Sequence, residues 1–166
     1  LTGLALLFFA LARPELNVSL PRIEGTAILA IDVSGSMRAD DLEPTRMEAA
    51  KLAARTFVEN QPATLLIGVV AFSGGGLVTQ PPTADRAAVL ATIDRLSPEG
   101  GTSLGQGIFS SLSAIAGEAL AIDETALEEG AMTDQIGRFP GAVIILLSDG
   151  ENTAPPDPLD VAQLAA

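Results

Sequence analysis

The sequence predicts an α/β domain, Rossmann-like, with a mostly parallel central sheet and a helix layer on each side. Three observations predict it. Thr26–Ile31, Leu65–Phe72 and Ala142–Leu147 are apolar runs without alternation, the pattern of strands covered on both faces. Each run is followed by small or polar residues. Helical patterns lie between them, so the order reads β-α-β-(β)-α-α-β-α.

Taken in order, the chain opens on an apolar run from Leu1 to Ala12, broken only by Thr2 and Gly3 and closed by Arg13-Pro14. A run of that length is too short to cross a bilayer, which takes ~20 residues. It is expected to be the exit half of a transmembrane helix; a signal-peptide stretch or a buried first helix are the alternatives. Residues 13–24 are expected to form a polar linker containing Pro21, and residues 25–166 the domain itself. The first strand ends at Asp32. Thr45-Arg46-Met47-Glu48 then forms a capping box, followed by Met47, Ala50, Ala54, Phe57 and Val58 at helical spacing. Gly76–Thr79 is expected to be a short edge strand. A second helix should run from Asp85 to Leu96, entered from Pro81-Pro82-Thr83, and a third from Ser103 to about Gly117. Glu118–Glu129 should add an acidic turn or helix with a solvated face. Asp157-Pro158-Leu159 opens a fourth helix, with Pro near its first position.

Composition narrows the function. A chain of 166 residues with 48% apolar and 18% charged residues fits one domain with a real core. Twenty-one acids against nine bases give a net charge of −12, so there is no basic footprint for a nucleic-acid backbone. The only lysine is Lys51. The absence of His and Cys excludes a Ser-His-Asp triad, a cysteine nucleophile, a structural zinc site and iron–sulfur ligation. General acid–base chemistry would fall to Asp, Glu or Lys51. A bound metal would be a hard ion held by oxygen, meaning Mg²⁺, Mn²⁺ or Ca²⁺.

In an open α/β sheet, ligands bind beyond the carboxyl ends of the strands. The first strand ends in Asp32-Val33-Ser34-Gly35-Ser36, which sets one carboxylate and two hydroxyls at alternate positions around a glycine. Three oxygens from one turn suit a hard cation. Ser148-Asp149-Gly150 ends the last strand and should bring Asp149 to the same rim. Gly100-Gly101-Thr102-Ser103 can bring the Thr102 hydroxyl there as well. Ser73-Gly74-Gly75-Gly76 lacks the Gly-Lys-Ser/Thr ending of a phosphate loop, and reads as a connection between strands. The glycines between Gly101 and Gly107 do not match the dinucleotide fingerprint.

Asp-x-Ser-x-Ser after a buried strand, Gly-Thr before a helix and Ser-Asp-Gly ending a later strand together resemble the von Willebrand factor A domain. They are similar to its metal-ion-dependent adhesion site. The resemblance runs from about Gly25 to the C-terminus. It implies that Asp32, Ser34, Ser36, Thr102 and Asp149 are the metal-site residues. It further implies that the Ser and Thr hydroxyls contact the ion directly or through water, that the Asp residues act partly through water, and that a partner's Asp or Glu carboxylate takes the remaining position. Neutral hydroxyls leave the ion's charge largely unquenched, which favours capture of an outside carboxylate. Ala-Arg-Pro after the apolar run, Asp41-x-x-Pro44-x-Arg46 and Pro81-Pro82-Thr83-x-Asp85 look like membrane-anchored bacterial A-domain proteins of the aerotolerance (Bat) type. In those, the domain follows a transmembrane helix and faces outside the cytoplasm. The family's domain closes with further strands and helices after Ser-Asp-Gly. The natural protein is therefore expected to continue past Ala166, with Ala142–Leu147 left here as an apolar edge.

The expected function is thus cation-dependent protein interaction without catalysis. Two alternatives stand beside it. A metal-dependent hydrolase or phosphotransferase would use Asp32 as nucleophile, but such enzymes resembling the haloacid dehalogenase type want a second acid where Ser34 stands and a lysine in the site. The other is an A-domain subunit docking to a chelatase-like ATPase.

Overall fold

A computed structural model of the chain describes residues 25–117 and 139–164. The expected anchor over residues 1–12, the linker and the acidic segment Glu118–Glu129 lie outside the described residues. Within them, no helix is long and apolar enough to cross a membrane.

The elements follow the expected order. They are β1 (Thr26–Asp32), a 3-10 turn (Gly35–Arg38), α1 (Arg46–Asn60), β2 (Leu66–Phe72), β3 (Gly76–Thr83), α2 (Arg86–Arg95), α3 (Leu104–Ala116), β4 (Ala142–Leu147) and α4 (Pro158–Gln163). The strands form one sheet in the order β3-β2-β1-β4. β1 is parallel to both β2 and β4, while β3 is antiparallel to β2.

Side-chain alternation divides the core into two layers. Leu29, Ile31 and Val33 of β1 and its extension, with Ile67, Val69 and Ala71 of β2, pack against Met47, Ala54 and Val58 of α1 and Val89 and Ile93 of α2. The intervening residues face the other way. Ile28 and Val70 meet Ala114 of α3, and Ala30 and Phe72 meet Leu104. The sheet is therefore sandwiched, and its central strand is buried on both faces from Ala27 to Asp32. β4 is the terminal strand of the described sheet, and its Val143 and Leu146 are 48% and 40% exposed.

Caps set the helix starts where the sequence places them. Thr45 accepts from the Glu48 amide (3.2 Å), Asp85 from Ala88 (3.1 Å), Ser103 from Gln106 (3.3 Å) and Asp157 from Leu159 (2.8 Å). The Glu48 carboxylate accepts from Lys51 at 3.2 Å. β3 runs four residues beyond the expected Thr79, through Pro81 and Pro82 to Thr83. Ile67 pairs with Thr83 and Val69 with Gln80, so the prolines occupy a bulge on an edge strand, where a missing N–H costs no ladder bond.

Two glycines of α3 bring this helix close to the site. A Cβ on Gly105 would collide with the Pro156 carbonyl, and one on Gly107 would lie 2.7 Å from the buried Phe72 ring. Helix propensity alone favours Gly107→Ala by about 1 kcal/mol. Because Phe72 is 1% exposed and cannot swing away, we expect this substitution to lower stability in urea unfolding by ~1–3 kcal/mol instead. A stabilised variant would show that the ring yields.

Candidate functional site

The carboxyl ends of β1 and β4 meet the turn before α3 at one rim of the sheet. Asp32 closes β1 and is fully buried. Its Oδ1 accepts from the Ser34 amide (2.8 Å), which curls the chain into the 3-10 turn. Its Oδ2 accepts from the Ser148 hydroxyl (2.8 Å), which stands at the end of β4. Among the described residues, no Lys or Arg pairs with this carboxylate. A buried carboxylate with two neutral donors and no counter-charge is costly, and such groups are ordinarily paired or bound to metal.

Hydroxyls crowd the same turn. Ser34 is 1% exposed, and its Oγ lies 2.9 Å from Ser36 Oγ. Backbone bonds hold the Gly100–Ser103 turn against this one. Gly35 N–H donates to Gly100 O (2.9 Å), Glu99 N–H to Val33 O, and Ser103 N–H to Ser73 O. Gly100 has φ +71°, a left-handed conformation that favours glycine. Thr102, on this turn, is 3% exposed. Its backbone is clamped by Thr153, whose hydroxyl accepts from Thr102 N–H and donates to Thr102 O, both at 3.1 Å. The side chain of Asn152 accepts from Leu104 N–H (3.0 Å) at the start of α3.

Asp149 stands beside Ser148. Its Oδ2 pairs with Arg46 Nη1 at 2.8 Å, and its Oδ1 accepts from Glu151 N–H at 3.3 Å. The Ser36 hydroxyl, the Glu151 amide and the Arg46 guanidinium together hold its carboxyl below the ordinary range, against an opposing effect of partial burial.

Hydrogen bonds thus link Asp32 directly to the Ser34 backbone, and the Ser34 hydroxyl to that of Ser36; the Ser36 hydroxyl also lowers the Asp149 pKa. Thr102 enters through backbone bonds of its turn, and no hydrogen-bond partner faces its hydroxyl among the described residues. Two further residues belong to the arrangement. Ser148 bonds Asp32 across 116 positions, and Arg46 bonds Asp149 across 103. Ser148 was visible within Ser-Asp-Gly, and Arg46 within Asp41-x-x-Pro44-x-Arg46, but neither pattern disclosed its long-range partner.

No three Asp, Glu, His or Cys side chains cluster as metal ligands among the described residues. A metal held at this rim would meet only hard oxygens, from the Asp32 and Asp149 carboxylates and the neighbouring hydroxyls, a chemistry that suits Mg²⁺ or a similar ion rather than a soft metal.

Residues 27–151 match the model of the von Willebrand factor type A domain. The chain belongs to that family. A UPF0353 protein of Mycobacterium ulcerans is 38% identical over 160 residues, covering 95% of this chain and 44% of that protein. The chain spans less than half the length of the curated relatives it matches. Among solved structures, a von Willebrand factor type A protein from Catenulispora acidiphila superposes with TM-score 0.61 at 27% identity, over 85% of this chain and 30% of that one. An aerotolerance-related membrane protein from Bacteroides fragilis superposes with TM-score 0.55 at 17% identity, over 84% and 87%. That last likeness is one of fold.

The depressed Asp149 pKa gives a signed expectation. Its ion pair stabilises the chelator-treated protein fully above the ordinary carboxylate value of about 4, and the contribution is lost as pH falls through the lower folded value. Asp149→Asn should therefore be less stable than wild type at pH 6, with the gap narrowing as pH falls below the ordinary carboxylate value in urea unfolding. A gap of constant size down to pH 2 would contradict this.

Proposed function

We propose that this A domain is a cation-dependent protein-interaction module. In this reading Asp32, Ser34, Ser36, Thr102 and Asp149 hold a divalent ion, Mg²⁺ first and Mn²⁺ or Ca²⁺ as alternatives, and the ion captures an Asp or Glu carboxylate of a protein partner. One observation carries the proposal: a fully buried Asp32 carboxylate, without a basic partner among the described residues, faces a turn of hydroxyls at the sheet rim. The ion would supply the missing positive charge. Two carboxylates in reach would offset the ion's two charges, and the surrounding hydroxyls would add no further negative charge to oppose a partner's carboxylate.

The hydrolase alternative gains nothing from the geometry. Lys51, the only lysine, is held on α1 by Glu48 and by the Asp94 carbonyl, both at 3.2 Å. Catalysis through Asp32 would lack the nearby lysine it calls for. We further propose that the domain is tethered to a membrane by residues 1–12 and faces outside the cytoplasm. The apolar run and the Bacteroides fragilis membrane protein of the same fold support this.

Calorimetric titration of Mg²⁺ into the full chain, with acetate present as a stand-in carboxylate, tests the site. One ion should bind to wild type, none to Asp32→Ala, and Thr102→Ala should bind more weakly by roughly tenfold. Identical binding by wild type and Asp32→Ala would remove the ion from this rim.

A further inference from the structure

Arg46 is the first residue of α1, and every polar part of it is engaged. Its backbone N–H donates to Ala39 O at 3.0 Å, closing the loop that follows the 3-10 turn. Its Nε and Nη2 grip both oxygens of Asp41, each at 2.8 Å. Its Nη1 reaches Asp149 Oδ2, also at 2.8 Å. One planar fork therefore spans two carboxylates on opposite sides of the rim, one in the loop after the Asp-x-Ser-x-Ser turn and one after β4. A guanidinium suits this, because its donors lie in fixed directions in a plane, whereas an ammonium is a point charge on a flexible stem.

We propose that Arg46 is a positioning residue for the cation site, with Asp41 as its anchor. The assignment rests on the cation reading of the rim given above. Arg46 takes Oδ2 of Asp149 at 2.8 Å while the Glu151 amide donates to Oδ1 at 3.3 Å, so the guanidinium supplies the shorter of the two bonds that fix the rotation of that carboxylate. Asp41 is 56% exposed at its side chain and is no ligand in that reading. Its task is to keep the guanidinium plane from turning away. The alternative role for a cation beside an anionic site is competition with the metal. The rigid mounting argues against it: a helix N-terminus, a backbone bond and a two-pronged carboxylate hold Arg46 in place, while a competitor must be free to leave.

The two roles predict opposite signs for Mn²⁺ affinity, measured on the full chain by the electron paramagnetic resonance of free Mn²⁺. Arg46→Gln should weaken Mn²⁺ binding roughly tenfold, the scale on which partners of metal ligands act. Arg46→Lys keeps the charge without the fork and should remain weakened. Asp41→Asn should weaken binding several-fold in the wild-type background and have no effect in Arg46→Gln, because its influence passes through Arg46. Thermal unfolding in chelator, run in parallel, separates this from loss of fold. Lower stability with unchanged Mn²⁺ affinity, or tighter binding by Arg46→Gln, would overturn the assignment. If Arg46→Gln does not fold, Arg46→Lys and Asp41→Asn decide alone. Asp32→Ala distinguishes the two levels. Wild type and Asp32→Ala binding alike would overturn the cation site and Arg46's role with it, whereas loss in Asp32→Ala beside unchanged Arg46 and Asp41 variants would overturn the role only.

Discussion

The Asp32 carboxylate terminates β1, a strand buried on both faces, and the rim of the domain is organised around it. Ser34 and Ser148 each give it one hydrogen bond, the first from the adjoining turn and the second from the end of β4. These bonds set the direction of the turn after β1 and the end of β4. They leave the charge uncompensated among the described residues, and burial makes that charge more influential rather than less. The proposed cation answers that imbalance, and the surrounding hydroxyls supply its remaining oxygens without adding further negative charge.

Sheet topology does the assembling. β1 lies between β2 and β4 in parallel register, so the loops after all three strands open at the same edge. The loop after β2 contributes the Ser73 carbonyl that receives Ser103 N–H, and this draws the start of α3 to the rim. Small residues at Gly105 and Gly107 then let α3 sit against Pro156 and Phe72. The segment after β4 clamps the Thr102 backbone through Thr153 and accepts from α3 through Asn152. Arg46 closes the last gap, between α1 and Asp149. Local structure, packing and the polar rim therefore depend on one another through a few named contacts.

Much of this was legible in the sequence because the informative patterns are local. Doubly buried strands appear as unbroken apolar runs, and Thr45, Asp85, Ser103 and Asp157 announce the helices they cap. The residues of the candidate site lie in short motifs at strand ends, so Asp32, Ser34, Ser36 and Asp149 could be picked out together. What stayed hidden has no local signature. The bond from Ser148 to Asp32 and the bridge from Arg46 to Asp149 each join residues more than a hundred positions apart, and side-chain pairing across a sheet leaves no periodicity. The prolines of β3 misled in the other direction. Pro81 and Pro82 read as the entry to the next helix, whereas on an edge strand with a bulge they continue β3. The glycines of α3 matched no nucleotide fingerprint, and only their neighbours reveal their packing role.

The central claim is that a divalent cation offsets the buried charge of Asp32, and thermal unfolding of wild type and Asp32→Asn, each in chelator and in saturating Mg²⁺, tests it most directly. In chelator the two should differ little, since the amide keeps the shape and removes an uncompensated charge. Mg²⁺ at a hundred times its dissociation constant should stabilise wild type by about 2.7 kcal/mol and leave Asp32→Asn unmoved. Equal stabilisation of both proteins, or of neither, would contradict the account.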